Sequence, residues 1–215
     1  PVEWANFVLL VGLQPIAVVL GNQFGAMRNS LKRHRAELQD ALQTIRELAC
    51  RDELTGLYNR RQAVTVLDQL IRNAERHATA CTLALIDLDH FKQINDQHGH
   101  RVGDDALKAF ASQAQETFRG SELIARWGGE EFLVLMPQTD TDGACRALAR
   151  LRDRLQSHSV SPEVPDLRVC FSSGVTSLRV PDQVEHVLQR ADEALYQSKR
   201  NGRGRDTVHA ENMST

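Results

Sequence analysis

Residues 123–136, LIARWGGEEFLVLM, set two short apolar segments on either side of a Gly-Gly-Glu-Glu stretch. The pattern predicts a β-hairpin. Leu123 to Arg126 and Phe132 to Met136 read as its strands, and the glycines permit the positive φ or close backbone approach of a tight reversal. Around it the chain alternates. Arg60 to Glu75 reads as a helix, CTLALIDLD (81–89) as a buried strand, and Val102 to Phe118 as a helix with apolar Leu107, Phe110, Ala111 and Ala114. Gly143 to Leu155 spaces Ala144, Leu148 and Leu151 on one helical face, Pro162 and Pro165 mark a loop, LRVCFSSGVTSL (167–178) reads as a strand, and Val184 to Lys199 as a helix. Hairpins mixed with helical crossovers fit an α+β sandwich of one sheet with helices better than a doubly wound parallel sheet.

With 215 residues, 41% hydrophobic and 25% charged, the chain can bury one ordinary core and still carry an appended segment. A formal net charge of -2 provides no global field for polymeric DNA or RNA. Cys50, Cys81, Cys145 and Cys170 are far apart and lack metal-ligand spacing, so they read as reduced structural thiols of a cytosolic compartment. WANFVLLVGLQPIAVVL (4–20) carries no charge, and Arg28, Lys32, Arg33 and Arg35 follow it. At helical rise it extends roughly 25 Å against a ~30 Å bilayer core, adequate once flanking residues are included. The basic cluster puts its C-terminal side in the cytoplasm. A buried helix of a soluble sensor domain is the alternative, favoured by Gln14, Pro15 and Asn22. Met27, Leu31, His34, Leu38, Ala41, Ile45 and Leu48 then form a heptad seam. The expected organisation is a membrane helix over 1–25, a parallel coiled-coil linker over 26–50, a globular domain over 51–208 and a tail over 209–215.

Asp87 and Asp89 lie at the end of the first buried strand, where alternation would point both the same way, and Glu130 and Glu131 lie in the hairpin turn. By itself a D-x-D at a strand end is an ordinary solvated cap. Joined by the glutamate turn, it makes an all-oxygen cluster whose like charges call for a cation, and the ligand type suits Mg²⁺ beside phosphates, with Mn²⁺ as a substitute.

GGEEF (128–132), DELTGLYNRR (52–61), DLDHFKQINDQHGHRVGD (87–104) and RADEALYQSKRNGRGR (190–205) together resemble the motifs of the GGDEF family of diguanylate cyclases, in order and over about Arg51 to Asp206. The resemblance implies a ferredoxin-like, nucleotide-cyclase palm-type sheet flanked by helices and preceded by a long N-terminal helix. It also implies condensation of two GTP into cyclic di-GMP and pyrophosphate across a homodimer. By position, Asp87, the Leu88 carbonyl and Glu130 would hold the metal, with Glu131 beside them and either glutamate able to take the 3′-hydroxyl proton. Lys92, Lys199 and Arg203 would meet the phosphates, and the amides of His90 and Phe91 would cradle one. Asn95, His100 and Asp104 would read guanine, the Asp104 carboxylate accepting from a donor edge that adenine lacks. Without the resemblance, Lys199 and Arg203 are a basic helix end offsetting the macrodipole, and His100 is a loop histidine.

One departure concerns feedback. Where many members carry an inhibitory RxxD, this chain has RGSE, Arg119 to Glu122, with Arg150 at the position of a second arginine. The longer acid predicts weakened product inhibition, and a surface Arg/Glu pair is the plain alternative. The other functional reading is a catalytically silent GTP-binding or protein-interaction module. The acidic, basic and amide residues of the site are nonetheless all present. The implied location is the bacterial inner membrane, with the catalytic domain in the cytoplasm.

Overall fold

The computed structural model describes residues 27–28, 31–35, 37–39, 49–77 and 79–210. The chain divides into two units, 1–49 and 50–215. In the first, the described residues from 27 to 39 are helical, and Met27, Leu31 and Leu38 are exposed. Seam residue His34 is exposed as well, while Ala41, Ile45 and Leu48 and the expected membrane segment, 1–25, lie outside the described residues. Among the described residues no helix is long and apolar enough to cross a membrane.

The second unit runs β1 (Tyr58–Asn59), α1 (Arg60–His77), β2 (Cys81–Leu88), α2 (Phe91–His98), α3 (His100–Thr117), β3 (Leu123–Gly128), β4 (Glu131–Pro137), α4 (Thr141–Ser157), β5 (Phe171–Ser177), α5 (Val184–Arg200) and β6 (Asp206–Val208). One sheet has the order β1-β3-β4-β2-β5-β6. Its four central strands, β3, β4, β2 and β5, are antiparallel to each neighbour, and β1 and β6 add parallel at the edges. This is the ferredoxin-like βαββαβ arrangement expected from the resemblance, with two edge strands added. Those edges, two and three residues long, are too short to show a period.

Alternation along the central strands explains why they read as unbroken apolar runs. Leu83 and Leu85 of β2 and Leu133 and Leu135 of β4 pack with Leu67 and Ile71 of α1 and Val187, Ala191 and Leu195 of α5. Ala84, Ile86 and Leu88 of β2 and Phe132, Val134 and Met136 of β4 join the opposite core, under α2, α3 and α4. Both sheet faces are therefore buried. In the second core Phe110 of α3 lies 4.2 Å from Phe132 and 5.9 Å, edge-on, from Phe171 between ring centroids.

The entrance to α5 is held by charge. Arg190 donates to both oxygens of Asp182 at 2.9 and 2.6 Å, and the Arg179 amide donates to the same carboxylate at 2.9 Å. Burial alone would raise the Asp182 carboxyl, but the hydrogen bonds from Arg190 and Arg179 outweigh it and hold the group below its ordinary range. The pair therefore stabilises the fold at neutral pH, and that contribution is lost as pH falls through the depressed value. Asp182→Ala should cost roughly 3 kcal/mol by leaving Arg190 uncompensated. Urea midpoints at pH 7 check this, and the gap from wild type should close in acid.

Candidate functional site

The site forms where β2 ends and β4 begins. Asp87 and Glu131 are direct partners across these antiparallel strands. By the same alternation, both belong to the face packed against α5. Lys199, on the last turn of α5, reaches Asp87: its Nζ lies 2.7 Å from Oδ2. Glu130 occupies the turn itself, and its carbonyl accepts from the Leu88 amide at 3.2 Å. Gly129 has φ +48°, a conformation that glycine adopts freely. Glu131 is therefore a strand residue, and the reversal is made by Gly129 and Glu130.

Electrostatics mark these carboxylates as strained. Burial pushes Asp87 above its ordinary range, Lys199 pulls it back and Asp89 adds repulsion. Burial also raises Glu131, with Asp87 as the next cause and Asp192 and Glu130 adding to it against Lys199. Raised carboxyls of this kind make the fold less stable as pH rises through their folded values. Accordingly, Glu131→Gln should raise the melting temperature at neutral pH without added metal. Calorimetry with and without Mg²⁺ checks this, because a bound divalent cation should stabilise the wild type more than the variant.

Asp89 stays on the Asp87 side as alternation predicts, although β2 ends at Leu88: Asp87 is paired across the sheet with Ser172, and the Asp89 carboxylate reaches that same Ser172. Its carboxylate accepts from Ser172 Oγ at 2.8 and 3.1 Å and from the Gly204 amide at 3.0 Å. It pins the loop after α5, which carries Arg203, whose Nε stands 4.0 Å from Asp89 Oδ1.

The other predicted residues fall on both sides of the α2–α3 junction. His90, left-handed at φ 60°, opens α2; its carbonyl accepts from Gln93 and Ile94, so the His90 and Phe91 amides precede the first intrahelical bonds. Lys92 follows and is exposed. Asn95 closes α2 through its carbonyl, which accepts from Gly99 at 2.8 Å, while His100 and Asp104 stand exposed at the start of α3. A Cβ on Gly103 would lie 1.9 Å from Asn95 Oδ1, so the absence of a side chain there lets the amide rest against α3 beside Asp104. Among the described residues, no three His, Cys, Asp or Glu side chains converge as a ready metal cluster. Asp87, the Leu88 carbonyl and Glu130 are all hard oxygen donors, and the repulsion around Asp87 favours a cation, so the donor set fits a divalent metal.

Two contributors were not singled out from sequence. Arg126 donates through Nε and Nη2 to the Gly129 carbonyl at 3.0 and 2.8 Å, and through Nη1 to both Asp52 oxygens at 3.2 and 3.3 Å. It clamps the Gly129–Glu130 turn to the loop after residue 50. The hydrogen bonds of Thr55 and the Arg126 charge outweigh burial and keep Asp52 below its ordinary range. The second is Arg146, which lines a cleft of about 430 Å³ with Arg119, Glu122 and Arg150. Its signal was present in the sequence, since Arg146 and Arg150 are one helical turn apart. Glu122 bends back on its own turn, Oε2 accepting from the Arg119 amide at 2.6 Å.

Residues 49–205 match the family described as "Diguanylate cyclase, GGDEF domain". The chain belongs to the GGDEF family. It is 40% identical over 213 residues to the "Probable diguanylate cyclase DgcC" of Escherichia coli K12, covering 98% of this chain and 54% of that protein. The chain thus spans about half the length of that relative. The coiled coil and GGDEF domain of DgcB from Caulobacter crescentus, solved in complex with c-di-GMP, superposes with a TM-score of 0.78 at 30% identity, over 86% of this chain and 98% of that one. The active GGEEF domain of a diguanylate cyclase from Vibrio cholerae gives 0.66 at 31% identity, over 71% and 97%. The mixed sheet flanked by helices is therefore the GGDEF fold.

Proposed function

We propose that the protein condenses two GTP molecules into cyclic di-GMP across a pair of its own catalytic domains. The observation that carries this reading is the Asp87–Glu131 pairing beside the Glu130 turn, with Lys199 at hydrogen-bond distance. In each of two condensations a 3′-oxygen bonds to the α-phosphorus of the other nucleotide, the bond to pyrophosphate breaks, and the hydroxyl proton leaves to a carboxylate. Glu130 or Glu131 takes that proton. Asp87, the Leu88 carbonyl and Glu130 would hold Mg²⁺, or Mn²⁺ in its place; when bound, it supplies charge neutralisation at the α-phosphate and leaving group. Lys92, Arg203 and the His90 and Phe91 amides orient the triphosphate, and Lys199 takes up phosphate charge. Asn95, His100 and Asp104 read guanine.

Gly103 supports the reader Asn95 directly. Gly103→Ala should raise KM for GTP about tenfold, equivalent to one lost or misplaced hydrogen bond, with a smaller change in kcat. Steady-state kinetics check the split.

One chain binds one GTP in this scheme, so the ring closes only when two domains face each other. The exposed Met27, Leu31 and Leu38 support pairing through the 26–50 linker. The charge-free run over 4–20 and the basic residues after it support a tether to a bacterial inner membrane, with residues 51–208 cytoplasmic and 209–215 a tail. Arg119 and Arg150, joined by Arg146, support a residual product site, and the engagement of Glu122 with its own turn supports its weakening. A dilution series tests the scheme: turnover per chain falls with concentration, and falls further with Leu31→Asp plus Leu38→Asp. Turnover independent of concentration in both would reject pairing as the requirement.

A further inference from the structure

Lys199 and a divalent metal have claims on one carboxylate. The ammonium lies 2.7 Å from Asp87 Oδ2, and the Asp87 side chain is only 10% exposed against 33% for Lys199. A charge-assisted contact of that length in a mostly buried setting is a strong one. Among the described residues it is the ion pair made to a proposed metal ligand; Arg203 leans on Asp89, which Ser172 and Gly204 already hold, and Lys92 is exposed. Glu131 sits opposite Asp87 on the neighbouring strand, so the same ammonium offsets two carboxylates. The lysine stem is flexible and begins on the last turn of α5, from which the head can swing without moving the helix.

We propose that Lys199 is an exchangeable counter-cation. It holds Asp87 until a triphosphate draws it away, so that metal alone binds weakly and metal with nucleotide binds tightly. The coupling is thermodynamic: a metal at Asp87 must displace the ammonium into water, whereas a metal arriving with a triphosphate provides that ammonium with a new anionic partner. The lysine thereby discourages loading of the site by metal without substrate. This rests on the reading of Asp87 as a metal ligand and of Lys199 as a phosphate contact.

The test is direct binding of Mn²⁺ to the whole chain without nucleotide, followed by electron paramagnetic resonance. Lys199→Met should tighten Mn²⁺ binding about 10-fold, within the usual range of coupling between sites. Lys199→Arg, which can keep an ion pair to Asp87, should stay near wild type. Lys92→Met removes an equal charge that does not pair with Asp87 and should change affinity much less than Lys199→Met. Equal affinity of Lys199→Met and wild type, or equal tightening by Lys92→Met, would overturn the exchange. Asp87→Asn separates the two failures: if it binds Mn²⁺ as wild type does, the metal-ligand reading itself falls.

Discussion

Glu130→Ala is expected to lower the rate of cyclic di-GMP formation by about 10³-fold or more, the scale on which removal of a single charge-stabilising group acts in a water-poor site. The expectation follows from where Glu130 stands. It is the tip of a reversal whose neighbour Gly129 is locked by two hydrogen bonds from Arg126, and its own carbonyl is tied to Leu88. The carboxylate is therefore delivered to the end of β2 by a braced backbone, and no nearby acid can move into its place: Glu131 is fixed in register against Asp87, and Asp89 is engaged by Ser172 and Gly204. The fold should survive, since the side chain is only partly buried and sits in the turn rather than in a strand. Far-ultraviolet dichroism and the urea midpoint should match wild type while initial rates collapse. A rate within tenfold of wild type would show that Glu130 does not hold the reacting charge.

Gly174→Ala should act on the fold instead. Gly174 lies in β5 where α5 crosses the sheet, and a Cβ there would stand 2.0 Å from the Ala191 carbonyl oxygen and 2.3 Å from the Leu195 amide nitrogen. Both obstacles are helix backbone, so a rotamer change cannot relieve the clash. Displacing α5 opens the core formed by Leu85, Leu133, Val187, Ala191 and Leu195 and moves Lys199 from Asp87. The expected cost is about 3 kcal/mol or more, at the upper end for overpacking. Denaturant unfolding measures it, and a loss below about 1 kcal/mol would mean that α5 sits more loosely than this packing implies. A surviving fraction of folded protein should also bind Mn²⁺ differently, because α5 positions the site as well as the core.

The parts legible in sequence were those with local signals. The hairpin was readable because two glycines interrupt two apolar runs, and β2 because CTLALIDL is apolar on both faces, as a strand buried between two helical layers must be. Asp87 and Glu130 were readable as an acidic set. That Asp87 and Asp89 share a side was readable from alternation, but not that Ser172 and Gly204 hold Asp89, because those partners lie 83 and 115 positions away. The Arg126–Asp52 clamp joins residues 74 apart in sequence, and neither residue carries a local mark of its partner. Arg146 was not singled out because the cleft it lines exists only when α4 meets the turn containing Arg119 and Glu122. Local chemistry thus marked the candidate site residues, while the residues that brace them depend on tertiary contacts.

The most direct test of the central claim is to incubate the whole chain with GTP and Mg²⁺ and identify the nucleotide products by mass spectrometry, with Glu130→Ala alongside. Cyclic di-GMP and pyrophosphate from the wild type, and essentially none from the variant, is the result expected. Unchanged GTP at every protein concentration, from a chain that binds GTP and is confirmed to be paired, would contradict the account and identify a silent nucleotide-binding module.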